Sequence, residues 1–163
     1  MEYTKILVAA DMATQYMEMF TQALHLAVND GAQLMLFCCL EQDTLAEMED
    51  SIATIVELER SDSQRLLQKK SGKAAEFARA WLETLAREAA ANGVTAHVSV
   101  EEGKPGPRIC ELASHWGADL VVLGRSTRSE LADRLLGSVS SHVVHCAPCS
   151  VLLTREGQAK PQA

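Results

Sequence analysis

Aromatic side chains are scarce, at 4% of 163 residues. The core must therefore be built from Ala, Val, Leu and Ile. Such small and branched side chains suit a parallel sheet covered on both faces by helices. Long apolar runs are also missing: none approaches the roughly 20 residues of a membrane span. Residues 1–5 are short and polar, and the apolar run 6–10 behind them is too short for a signal-peptide core. Positive charge is in deficit, with 15 Lys and Arg against 22 Asp and Glu and a formal net charge of −7. That excludes general nucleic-acid binding, which needs a basic footprint. It leaves room for a phosphate ligand, because phosphate sites are made locally by backbone N–H groups. With no export pattern, the five cysteines (Cys38, Cys39, Cys110, Cys146 and Cys149) are expected to be reduced thiols of a cytoplasmic protein.

Short apolar runs alternate with helical patterns. Residues 6–10 form a continuous apolar run between Lys5 and Asp11, which predicts a strand buried on both faces. Phe20, Ala23, Leu24 and Ala27 then fall at helical spacing, and Asp30-Gly31 closes that helix. Residues 34–40 are a second buried run. Residues 43–73 are charged, lack Pro, and place Leu45, Met48, Ile52 and Ile55 at helical spacing. They predict a helical insertion with a polar outer face, running toward the next helix. There Phe77, Trp81, Leu85 and Ala89 predict an apolar stripe, ended by Asn92-Gly93.

Residues 94–100 predict a third strand. Residues 103–107 are turn chemistry, with Pro107 expected near the first helical position. Ile109, Leu112, Ala113 and Trp116 predict the next core stripe, stopped by Gly117. The run 120–123 ends at Gly124, a helix is expected over 138–146, and a last strand over 149–154. Residues 156–163 read as a disordered tail. Nine alternating elements predict one α/β domain over 1–155, a doubly wound sheet of five parallel strands with helices on both faces. Ligands of such sheets bind beyond the carboxyl ends of the strands, where strand order reverses.

The segment with most chemistry is Gly124-Arg125-Ser126-Thr127, nine residues, then Gly137-Ser138-Val139-Ser140. A Gly directly after a buried strand lets the backbone approach a ligand with no Cβ in the way. The second Gly opens a helix whose unpaired N–H groups and positive dipole end favour an anion. Ser138 and Ser140 add hydroxyl donors, and Arg125, Arg128 and Arg134 add local positive charge. The plainer alternative stays open: Gly124 ends a strand, Gly137 makes a turn, and a Ser caps the helix. No Walker loop is present, since Gly-Lys-Ser/Thr is absent.

This segment resembles the universal stress protein family, whose nucleotide-binding branch carries G-x2-G-x9-G-[ST] after its fourth strand. The stretch LVVLGRSTRSELADRLLGSVSSHVVHCAPCSVLLT and the opening KILVAADMATQYMEMFTQAL are both similar to that family. The resemblance implies an adenine-nucleotide site for ATP or AMP, with or without Mg2+. Gly124, Gly137 and Ser138 match the loop, and Val139 and Ser140 match the positions completing the phosphate cradle. Asp11 matches the acidic residue on the ribose hydroxyls, and its alternative is a helix cap. Ala9 and Ala10 match residues lining base and sugar, and Cys39 matches the residue whose backbone meets adenine. Thr127 stands where the motif has its second Gly. If that backbone needs a positive φ, a β-branched Thr costs about 1 kcal/mol or more.

The resemblance also implies a homodimer through the edge strand 149–154. Residues 43–73 offer a candidate surface for a protein partner. Two further readings follow: a nucleotide-independent dimeric interaction protein acting through that insertion, and a slow ATPase. For the second, Glu130 and Asp133 are the nearby carboxylates, more simply read as exposed helix residues. His142, His145, Cys146 and Cys149 spell H-x2-H-C-x2-C, which invites a zinc or redox reading. A structural reading is favoured, because Cys146 falls at a helix C-terminus, where a thiolate is disfavoured. Cys38 and Cys39 are expected on opposite faces of one strand.

Overall fold

The computed structural model describes residues 2–10, 16–41, 60–124 and 137–154. Its elements are β1 (Lys5–Ala10), α1 (Tyr16–Asp30), β2 (Gln33–Leu40), α2 (Arg60–Ala91), β3 (Ala96–Glu102), α3 (Pro105–Trp116), β4 (Leu120–Gly124), α4 (Ser138–Cys146) and β5 (Ser150–Thr154). The five strands form one sheet in the order β3-β2-β1-β4-β5, and every pairing is parallel. The doubly wound α/β fold expected from the sequence is what the chain adopts.

Strand residues alternate between two core layers, as the pleat requires. Ile6 and Val8 of β1, Leu34, Leu36 and Cys38 of β2, and Leu120 and Val122 of β4 pack under α1 and α2. Leu7 and Ala9, Met35, Phe37 and Cys39, and Val121 and Leu123 pack under α3 and α4. The continuous apolar runs thus arise because both faces are covered. Cys38 and Cys39 fall in different layers, as neighbours on a strand must.

In α1 the expected stripe Phe20, Ala23, Leu24 and Ala27 is buried. Helix α2 continues through residues 60–73 without a break, so that part of the expected insertion belongs to the same 32-residue helix as the next stripe. Residues 43–59 lie outside the described residues. The buried stripe of α2 is Ala78, Leu82, Leu85 and Ala89, whereas Phe77 is 65% exposed. The expected stripe stepped by four residues each time. Three such steps overshoot three helical turns by about 120°, which carries Phe77 off the face of Ala89.

Helix α3 begins at Pro105, so Pro107, expected near the first helical position, is its third residue. It ends on Gly117 in the left-handed region, φ 75°, whose N–H donates to Ala113 O at 3.0 Å. At the amino end of the sheet, Asp119 joins β4 to β1. Its carboxylate accepts from Thr4 N at 2.8 Å, Thr4 Oγ1 at 2.7 Å and Lys5 N at 3.1 Å. Burial works to raise the Asp119 pKa, but these donors outweigh it and hold the carboxyl below its ordinary range.

Candidate functional site

Strand order reverses between β1 and β4. From β1 the chain winds outward through β2 and β3, then crosses to β4 and β5 on the other side. The crevice of a doubly wound sheet opens at the carboxyl ends flanking that reversal. There Ala9 of β1 pairs in register with Leu123 of β4. Ala10 ends β1 beside Cys38, and Gly124 ends β4 beside Thr154 of β5.

Ala9 is buried in the same layer as Leu123, and Val139, in the first turn of α4, packs on that layer. The first turn of α4 thus packs on the same layer as the carboxyl-end side chains of β1 and β4. Gly137 caps the helix with φ −61° and ψ 164°, and as glycine it supplies no side-chain acceptor. The first intrahelical bond runs from Ser141 N to Gly137 O at 2.8 Å. The amides ahead of it, on Ser138, Val139 and Ser140, are those an anion at this end would meet. Ser138 is exposed to receive one, and Ser140 is buried against the layer.

Gly124 carries a packing constraint besides the one expected. A Cβ at this position would lie 2.9 Å from Met19 Sδ of α1. Met19 is fully buried on the α1 side. The missing side chain therefore admits helix α1, whatever the ligand does. Thr154 Oγ1 donates to Leu123 O at 3.2 Å and is itself buried, which ties the ends of β5 and β4 together. Sequence reasoning gave Thr154 no role beyond ending the last strand. A lone Thr closing an apolar strand opposite a Gly was the available signal for Thr154.

Cys39 sits one strand away, paired with Glu101 of β3. Its Sγ donates to Gly103 O at 3.5 Å. Burial first, then the carboxylates of Glu101 and Glu41, push its pKa up to about 11, partly offset by Arg108. The thiol is protonated at neutral pH and is no nucleophile. Gly103 is held at φ 132°, and a Cβ there would meet Arg108 Nε at 3.1 Å. Arg108 pairs with Glu111 at 3.3 Å. It is a cation at the carboxyl end of the sheet that the sequence reading did not single out.

Asp11, Arg125 and Thr127 lie outside the described residues, as do Arg128, Arg134, Glu130 and Asp133. Among the described residues, no group of three or more His, Cys, Asp or Glu side chains could hold a metal ion. No helix among them is long and apolar enough to cross a membrane.

Comparison with known proteins agrees with the fold. A model of the universal stress protein family matches residues 2–155. Universal stress protein Sll1388 of Synechocystis sp. is 37% identical over 155 residues, spanning 95% of this chain and 99% of its own. Among solved structures, UspA from Lactobacillus plantarum superposes with a TM-score of 0.74 at 24% identity, covering 95% of this chain and 99% of that one. A family protein from Arabidopsis thaliana with AMP bound gives 0.60 at 17% identity, covering 98% and 96%. A universal stress protein in complex with cAMP gives 0.60 at 21% identity, covering 96% and 100%.

Proposed function

The chain belongs to the universal stress protein family, and from that premise we propose that it is a nucleotide-binding module taking ATP or AMP at the carboxyl ends of β1 and β4. The observation that carries the reading is the first turn of α4. Its glycine cap leaves the leading amides without a side-chain acceptor, and Val139 and Ala9 share one layer at the reversal of strand order. Phosphates would sit on the amides of Ser138, Val139 and Ser140, with Mg2+ offsetting the charge of a triphosphate. Base and sugar would lie against Ala9 and Ala10, and the backbone at Cys39 would meet adenine. Asp11 is assigned to the ribose, and Arg125 and Thr127 to the phosphate side. The AMP and cAMP carried by the two structural neighbours support an adenine nucleotide as the ligand class.

The experiment is isothermal titration with ATP plus magnesium, AMP and cAMP, beside a Gly137→Asp variant. Asp is a favoured cap at the φ and ψ of this position, so the variant should fold. Its carboxylate would occupy the same amides and repel phosphate, so affinity should fall at least about tenfold with no loss of thermal stability. No heat and no thermal shift with any of the three nucleotides at millimolar concentration would defeat the reading.

Strand β5 lies at the sheet edge, and its Val151, Leu152 and Leu153 are only partly buried. A homodimer formed by antiparallel pairing of two such edges across a two-fold is part of the proposal. One observation favours a second reading, a nucleotide-independent interaction role. Phe77 stands 65% exposed on α2, one turn from the partly buried Trp81.

A further inference from the structure

Helices α3 and α4 cover the same face of the sheet, and each returns the chain from the carboxyl end of one parallel strand to the amino end of the next. They therefore run in the same direction. Their close approach is marked at Gly106, where a Cβ would lie 3.0 Å from the ring of His142. Four residues further along each helix is a cysteine: Cys110 on α3 and Cys146 on α4. Helices running the same way advance together, so the approach at Gly106 and His142 brings Cys110 opposite Cys146 about 6 Å on. Two thiols of this corner feel a neighbouring one. Burial and then Cys146 raise the pKa of Cys110, and burial, Asp119 and then Cys110 raise that of Cys149. All three thiols are free, Cys146 exposed and the other two half-buried. Cys149 is the less suited partner for Cys146. Ala147 is extended, with ψ 137°, and Pro148 follows, which leads Cys149 off the helix toward the sheet.

We propose that Cys110 and Cys146 are a redox modification site: a reversible disulfide that staples α3 to α4, formed by exchange with a low-molecular-weight disulfide. The thiolate of exposed Cys146 attacks one sulfur of the small disulfide. A mixed disulfide forms and one small thiolate leaves. Cys110 then loses its proton to solvent and attacks the Cys146 sulfur, expelling the second small thiolate. Two protein thiols are oxidised, the small disulfide is reduced to two thiols, and the two protein protons end on them. Exchange runs through the attacking thiolate, so it quickens with alkalinity. The bond fixes α4 at the end opposite Ser138 and Ser140.

The test is incubation of the full chain with oxidised glutathione, blocking of remaining thiols, and tryptic mass spectrometry. Cleavage after Arg108, Arg125, Arg134 and Arg155 places Cys110 alone in the peptide 109–125, and Cys146 with Cys149 in 135–155. The expected product joins these two peptides, has lost two hydrogens, and is reversed by dithiothreitol. It survives Cys149→Ser and disappears in Cys146→Ser and Cys110→Ser. Fragment ions of the wild-type cross-link locate the bond independently should a variant fail to fold. A bond from Cys110 to Cys149, a bond within 135–155, a glutathione adduct alone, or no reaction would each overturn the proposal.

Discussion

Gly124 shows how one residue can answer to two demands. As a strand-end glycine of a nucleotide loop it is expected to let backbone approach phosphate. In the fold, its missing Cβ makes room for Met19 Sδ, 2.9 Å from where that carbon would stand. Gly124 is not among the glycines with positive φ, so an Ala there meets a packing conflict and no backbone strain. Met19 is flexible but fully buried, so it has little room to yield. Gly124→Ala is expected to destabilise the fold by about 1–3 kcal/mol, the usual range for overpacking. Shortening the neighbour should recover part of that loss. A double-mutant cycle with Met19→Ala should therefore show a coupling of more than about 0.5 kcal/mol, read from urea unfolding. Unchanged stability with abolished nucleotide binding would instead assign the glycine to the ligand.

At the scale of elements, what could be read in advance followed from periodicity. The inner strands β1, β2 and β4 were legible as short apolar runs, because residues such as Ile6 and Leu7 have opposite covered faces to fill, whereas β3 was legible from the alternation of its residues. Helix α1 was legible from four buried positions in one stripe. Helix α2 was legible as a helix but not in its orientation, since i+4 steps through Phe77 and i+3/i+4 steps through Ala78 both look amphipathic. Only tertiary packing chooses between them. The corner of Cys110, Cys146 and Cys149 was hidden for the same reason: Cys110 comes from another helix, and no spacing announces it. Strand β5 makes a prediction of its own. Its Val151, Leu152 and Leu153 are only partly covered at a free sheet edge, an arrangement that invites pairing. Light scattering at tens of micromolar should give twice the chain mass of 17.7 kDa. Leu152→Lys, a charge at the edge, should give that mass once while keeping its helical circular dichroism. A wild-type monomer, or a variant that still dimerises, would remove the edge from consideration.

The whole molecule depends on a junction that local pattern does not reveal. Strand order places β1 next to β4, although more than a hundred residues separate Lys5 from Asp119 in the chain. Periodicity named both strands, but only the doubly wound topology makes them neighbours, and Asp119 fastens them at the amino end. Its carboxylate takes two donors from Thr4 and one from Lys5 across that distance. Burial raises its pKa and these three donors lower it further, leaving a net depression. A carboxyl depressed in the folded state contributes stability above its unfolded pKa, about 3.9, and loses it as pH falls through the folded value. Asn can present only one oxygen to these donors, so Asp119→Asn should cost about 1–2 kcal/mol at pH 7, after allowance for its partial exposure. The gap between wild type and variant should hold from pH 7 to about 5, then narrow as the carboxyl protonates. Thermal unfolding across that range measures it. A gap that stays constant down to pH 2 would mean that the carboxylate's charge does not hold the two halves of the sheet together.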